Sequence, residues 1–451
     1  MKTILNKKFG LFFILTIALF LSSCEAEDSF LESDYRGNFT PGIVSDYNLM
    51  LNALNLTSQF EGVPLEQMSD NIATTVALVN SENQAYTWQK QLYRPDETPH
   101  AWVVSYNKIH IFNTIYNEID SAVDKDLSSN QDYVKLYKSE ALLGRAMEHF
   151  FLLNLFSQPY SEANKTKPGI PYIDFADITK QIPPRETIED TYNKIEADLL
   201  SAIPGLPDLN ENNTRGSKIG AYGILARVYL FKGEWEKALT YTQLALDIKS
   251  DYNLYNEVAS LPWRPTDISD AVYYNTNGGN GFLFYSVNIS EELNNLYGPT
   301  DIRPFLYFID FFDPTPLYGF QYFYSNKGVT IPELIVTKAE LLIRLNRVQE
   351  GLDVINDFRN SRDLLGFASP FDTADKEEAL NLVLDERRRE LCISSLRWFD
   401  MRRLDMEGRM NTVTHTDFVT EEVFTLEPGS PRYTLQIPNA IINQEGFEQN
   451  P

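Results

Sequence analysis

Ala221-Tyr-Gly-Ile-Leu-Ala-Arg-Val-Tyr229, then Gly233, then Trp235-Glu-Lys-Ala238 and on to Ala245, is the stretch that decides the fold. Small residues at Ala226, Gly233, Ala238 and Ala245 let two antiparallel helices approach closely, while Leu225, Tyr229 and Trp235 fill the space between them. Thr242 departs from the pattern, because a large residue is usual there. A second such unit runs from Glu333 through Ala339-Glu-Leu-Leu-Ile-Arg344 to Ile355-Asn-Asp-Phe-Arg359. A third begins near Glu377 and reaches Arg397-Trp-Phe-Asp400.

Working outward, helical periodicity dominates from about residue 100 onward. Trp102, Tyr106, Ile109, Asn113 and Tyr116 recur at steps of three and four. Ile188, Tyr192, Ile195, Leu199 and Ala202 do the same behind Thr187, a side chain suited to cap a helix start. Between them, Tyr133 to Phe156 reads as one long helix that stops near Ser157-Gln-Pro159, where proline removes a donor. Each hairpin must bury its face against a neighbour, so hairpins separated by long insertions predict a mainly all-α, irregular tetratricopeptide-like scaffold. Trp102, Trp235 and Trp398 fall inside helical motifs and are expected in the core.

Residues 1–23 read as a leader to be removed: a basic start with Lys2, Lys7 and Lys8, an apolar run from Phe9 to Leu21, then Leu21-Ser-Ser-Cys24. That run is too short to cross a hydrocarbon core, which needs roughly 20 residues. Leucine and two small residues before a cysteine form a lipobox, making Cys24 the expected lipidation site. Only Cys392 then remains as a thiol, so no internal disulfide is expected and a large core must hold the fold. Losing the three lysines takes the net charge from −24 to about −27. So acidic a body repels nucleic acid and anionic headgroups, which leaves membrane contact to the lipid.

The body, 24–451, divides by composition into a helical part at 24–250, an insertion at 251–330 and a helical part at 331–451. The insertion holds 19 of the 58 aromatic residues, with breaker signals at Leu261-Pro-Trp-Arg-Pro265, Asn277-Gly-Gly-Asn280 and Asp313-Pro-Thr-Pro316. Aromatic loops on a rigid scaffold are where binding usually lives, although most of these rings are expected to be core.

Catalysis finds little support. Glu386 and Glu390 share one helix face, but Arg387, Arg388 and Arg389 surround them, which favours ion pairs that keep both carboxylates ionised. His100, His110, His149 and His415 lack metal-ligand spacing, and no nucleophile elbow or phosphate loop occurs, so no metal and no cofactor is expected. His149 reads as a packed helix residue and Cys392 as a buried, inert thiol.

In order, the motifs resemble the SusD/RagB family of nutrient-binding outer-membrane lipoproteins of Bacteroidota. Those that carry the resemblance are Trp102-x3-Tyr106-Asn-Lys-Ile109, Ala141-Leu-Leu-Gly-Arg145, Leu155-Phe-Ser-Gln-Pro159, Gly169-Ile-Pro-Tyr172, the hairpin at 221–245, Asp385-Glu-Arg387, Arg397-Trp-Phe-Asp400-x-Arg402-Arg403 and the closing Gln449-Asn-Pro451. The family commonly has Gly where this chain has Ser157. The resemblance covers nearly all of the body. It implies a non-catalytic binding protein on the cell-surface side of the outer membrane, closing like a lid over a SusC-like TonB-dependent transporter. It would hand that barrel oligosaccharides or, in some branches, peptides. A purely structural envelope scaffold is the remaining alternative.

Sugars offer an apolar ring face and a rim of hydroxyls, which an aromatic plane with Asn or Arg beside it can match. Trp88, with Tyr93 and Arg94, is the first candidate contact. Trp263 with Arg264 is the second, and Tyr273, Tyr274 and Asn277 form the third. The early loop and the central insertion, where these lie, are the regions from which the family's pocket is drawn.

Overall fold

The computed structural model describes residues 41–58, 62–75, 82–94, 98–254, 270–274, 287–310, 318–320, 326–392, 394–417 and 420–451. Cys24 and the leader lie outside the described residues, as does about half of the 251–330 insertion. The helices that build the body are α1 (Val44–Leu51), α2 (Gly62–Gln67), α3 (Glu82–Tyr86), α4 (His100–Glu118), α5 (Gln131–Phe156), α6 (Ile188–Ala202), α7 (Lys218–Lys232), α8 (Trp235–Ile248), α9 (Ile331–Arg344), α10 (Val348–Asn360), α11 (Lys376–Leu391) and α12 (Arg397–Met406). Short strands join them: β1 (Ile72–Thr75), β2 (Ala271–Tyr273), β3 (Val287–Ile289), β4 (Phe308–Asp310), β5 (Tyr318–Phe320), β6 (Val329–Thr330), β7 (Val413–Asp417) and β8 (Val423–Leu426). The largest sheet orders them β3-β1-β7-β8, with β1 parallel to β7 and the other pairs antiparallel.

The helices start and stop for local reasons. Thr187 caps α6 by accepting the Asp190 N–H at 3.0 Å, as its position predicts. Asp375 caps α11 in the same way through Glu378 N–H at 2.8 Å. Gly233 ends α7 at φ 74°, a left-handed turn that other residues adopt only at a cost, and α8 begins two residues later. Ser157 ends α5 in extended backbone at φ −135°, so the usual glycine is not needed there.

α5 is the axis of the molecule. From Ser139 to Phe156 every residue is buried, because α4 and α6 pack along the helix, α1 and α7 against parts of it, and the C-terminal segment covers its end. Gly144 admits the ring of Phe112 from α4, where a Cβ would lie 2.2 Å from the ring. The hairpins α7–α8 and α9–α10 stack through α8 and α9, and α11 closes over α9. In α8 the unusual Thr242 is fully buried and turns its hydroxyl onto Ala238 C=O at 2.7 Å, which satisfies the polar group a large apolar residue would not bring. Trp102 and Trp398 are core, as expected. Trp235 is only half-buried, with the Arg344 guanidinium 4.5 Å over its ring, because it stands at the open end of the α7–α8 turn.

Three carbonyls at the end of α5 are taken by distant groups. Leu155 C=O accepts from Leu435 N–H at 3.0 Å, and Phe156 C=O accepts from the Asn450 side-chain amide at 2.7 Å. Ser157 C=O accepts from Arg402. Arg185 adds bonds to Gly169 C=O at 2.7 Å and to the Asn450 side-chain oxygen at 2.8 Å. The Gln449-Asn450 motif is therefore a clasp on a helix end that would otherwise leave buried carbonyls bare.

Candidate functional site

The paired carboxylates of α11 sit in a closed charge cluster. Glu386 accepts from Arg303 at 2.7 Å and from Arg389 at 2.6 Å, with Arg359 at 3.4 Å. Glu390 accepts from Arg362 at 2.8 Å and from Arg303 at 3.1 Å. Burial alone would raise the Glu386 carboxyl, but Arg303 and Arg389 hold it down at about 2. A carboxylate so held does not carry a proton near neutrality, and neither of the two reaches solvent. Cys392 is fully buried, its thiol pushed up to about 12 by burial, with the Tyr297 hydroxyl 3.3 Å from Sγ. Among the described residues no three His, Cys, Asp or Glu side chains gather as a metal site would require.

The first candidate contact set is organised by the sheet. Trp88 sits at φ 49°, a strained conformation for a bulky residue, just past α3. Its indole N–H donates to Met68 C=O at 3.0 Å. His415, from β7, lies between the rings of Tyr86 and Trp88, with centroids 4.3 and 4.1 Å away. Both its ring nitrogens face carbonyls, Nδ1 that of Tyr86 at 2.7 Å and Nε2 that of Ser69 at 3.0 Å, so a neutral ring donates to one of them at a time. Burial lowers its pKa to about 4, against the opposing pull of those carbonyls. The Tyr86 hydroxyl, within reach of Ala73 C=O at 2.8 Å and Thr416 C=O at 3.0 Å, straddles β1 and β7. Tyr93 is also interior, its hydroxyl accepting the Ala101 N–H at the start of α4 at 3.0 Å.

Trp88 and Tyr93, candidate ligand contacts in the sequence, are thus interior residues. Trp88 is 5% exposed and Tyr93 8%, because the sheet and the start of α4 give their polar atoms buried partners. Arg94 is exposed at the tip of the same segment. Tyr273 and Tyr274, 6% and 3% exposed, are interior too. β2 pairs with β6 and lies so close that a Cβ on Gly328 would meet Tyr273 C=O at 1.9 Å. Trp263, Arg264 and Asn277 lie outside the described residues. Beneath β6, Lys327 donates to Glu148 at 2.6 Å and Arg227 to Glu333 at 2.7 Å, so this floor is rigid and charge-paired.

In the sequence His415 is one histidine among four. Nothing in the sequence ties position 415 to positions 69 and 86; only the strand pairing does. A further feature is a groove of about 700 Å³ between α8 and the α9–α10 pair, with Glu236, Gln243, Asp247, Lys338, Arg347 and Asp353 on its walls. Leu239, Leu244, Leu342 and Val354 lie between them, so the groove has a mixed lining where the two hairpins meet.

Two family profiles match the chain. One, described as starch-binding associating with outer membrane, covers residues 39–230, and the other, the SusD family, covers 333–451. SusD-like protein P2 of Formosa agariphila is 22% identical over 355 residues, which is 62% of this chain and 67% of that protein. A SusD superfamily structure from Bacteroides thetaiotaomicron superposes with a TM-score of 0.74 at 20% identity, covering 91% of this chain and 100% of that one. A SusD-like carbohydrate binding protein from Bacteroides vulgatus superposes at 0.69 with 17% identity, covering 90% and 97%. At these identities the superpositions speak for the fold.

Proposed function

The chain belongs to the SusD/RagB family, and on that premise we propose that it captures oligosaccharides at the cell surface and delivers them to a SusC-like TonB-dependent transporter. The observation that carries this reading is the match of family profiles to both halves of the chain, one of them described as starch-binding. Between the two matches lies the aromatic-rich insertion. The rigid floor of β2 and β6 and the strained, locked turn at Trp88 support it, since strain of this kind gathers at ligand sites. Arg94, exposed beside that turn, and Trp263, Arg264 and Asn277 in the insertion are the ligand contacts in this reading. Trp88, Tyr93, Tyr273 and Tyr274 act behind them by fixing the backbone that presents the contacts. Cys24 carries the lipid anchor.

Titration of the purified protein with an oligosaccharide panel tests the proposal. Arg94→Ala and Trp263→Ala are each expected to weaken the best ligand about tenfold, or ~1.4 kcal/mol, with no change in melting temperature. Saturable binding of peptides that oligosaccharides do not displace would move the ligand class to peptides. Binding of neither, with a barrel still co-purifying, would leave an envelope scaffold. Cys24→Ser should release the protein from the membrane fraction.

A further inference from the structure

Arg402 and Arg403 are adjacent on α12 and in opposite situations. Arg403 is gripped by Glu340 at 2.5 Å and Asp400 at 2.8 Å. Arg402, 2% exposed, has no carboxylate partner among the described residues. Its Nε donates to Tyr433 C=O at 2.5 Å and its Nη2 to Ser157 C=O, while Nη1 has no hydrogen-bond partner among the described residues. A buried guanidinium without an acid is costly, and burial draws this one down to about 10. The end of α5 offsets part of that charge, but a helix C-terminus supplies only about half a negative charge. Arg185, bonded to the same helix end through Phe156 C=O at 3.4 Å, competes for it.

Arg402 lines a cavity of about 150 Å³. Tyr160, Tyr192, Phe231, Trp235 and Phe399 supply aromatic walls, and Met406, 46% exposed, stands among the lining residues. The other charged lining groups are already engaged. Lys232 binds Glu234 at 2.7 Å, Arg403 is paired as above, and Glu407 is held by Arg344 at 3.0 Å and Arg409 at 3.1 Å. Asn154 and Tyr192 bond to each other at 3.2 Å. What the cavity offers a ligand is thus one unmatched guanidinium edge and flat apolar walls. At ~30 Å³ per water in the liquid, it holds about five waters, or one small ring.

We propose that this cavity is a binding site for a single-ring carboxylic acid of the size of one sugar acid, its carboxylate meeting Arg402 Nη1 and its ring lying against the aromatic walls. Arginine is the cation best suited to hold a carboxylate in a desolvated place. The site is separate from Arg94 and the insertion, so it stands or falls apart from the oligosaccharide proposal.

Sodium glucuronate, glucose and sodium chloride at matched ionic strength, titrated calorimetrically into the purified protein, supply the test. Glucuronate should bind saturably, at least tenfold tighter than glucose, with chloride giving no saturable heat. A tetrasaccharide ending in the same acid, compared with its neutral counterpart, tells a chain-borne acid from a free one, and only acid-dependent binding that Met406→Trp weakens supports the site. Arg402→Gln should abolish the response, but this residue also clasps Ser157 and Tyr433 and its loss endangers the fold. Met406→Trp narrows the cavity without touching the guanidinium. It should weaken glucuronate binding tenfold or more while the melting temperature and the oligosaccharide affinity stay unchanged. Equal binding of glucuronate and glucose, or glucuronate binding unaltered by Met406→Trp, would overturn the proposal.

Discussion

Glu66, in the last turn of α2, is completely buried and forms no ion pair among the described residues. Its Oε1 accepts the Ser395 N–H at 2.6 Å, while Oε2 has no hydrogen-bond partner among the described residues. Ser395 itself stands at φ 62°, so the carboxyl pins a strained turn between α11 and α12. Burial raises the Glu66 pKa from 4.5 to about 8, with the Ser395 N–H pulling the other way. Between those two values the unfolded chain ionises and the folded one stays protonated. The folded state therefore holds the extra proton, and stability falls as pH rises through this window. Glu66→Gln keeps an acceptor for Ser395 and removes the titration. At ~1.4 kcal/mol per pH unit, its stability advantage over the parent should grow by roughly 3 kcal/mol between pH 5 and pH 7. Urea denaturation of both proteins at half-unit steps reads this difference directly, with the contributions of all other groups cancelling. A gap that stays constant from pH 5 to pH 8 would refute the reasoning and mean that Glu66 is ionised in the fold.

Other perturbations have equally definite signs. Glu148 is the shared acid of Lys108, at 3.6 Å, and Lys327, at 2.6 Å, all three buried; Glu148→Gln should cost about 3–5 kcal/mol by removing the negative charge that both buried ammonium groups share, read from the shift in denaturation midpoint. His149 is held neutral, Nδ1–H donating to Arg145 C=O at 2.9 Å and Nε2 accepting the Ile173 N–H at 3.1 Å, and burial lowers its pKa from 6.5 to about 3. The unfolded chain takes up the proton first, so stability should drop as pH falls below about 6.5, and His149→Gln should show a shallower acid limb. Trp88→Ala should cost about 3–5 kcal/mol by opening the stack on His415, whereas Arg94→Ala should leave the melting temperature unchanged. Cys392 should resist a thiol-labelling reagent in native buffer and react only as the protein unfolds.

Local signals in the sequence were enough for the scaffold. The cap at Thr187, the left-handed stop at Gly233 and the i, i+3, i+4 pattern of α4 and α6 each depend on neighbours within a few positions, and each stands where the pattern put it. The ligand contacts were less legible. Trp88 and Tyr93 lacked helical periodicity and so resembled loop platforms, but a sheet of short strands buries them. That sheet joins position 74 to position 416, a pairing with no local trace. Arg402 and Arg403 are indistinguishable as letters. One step of about 100° around a helix sends one into acids and the other into a cavity.

The clasp of Asn450 on Phe156 spans 294 positions of chain. Until residue 450 is in place, the Phe156 carbonyl stays without its side-chain amide partner, and Arg185 lacks one of its acceptors. Closure of this helix end is therefore a contact of very long sequence separation, which places it late in folding, after the local hairpins have formed.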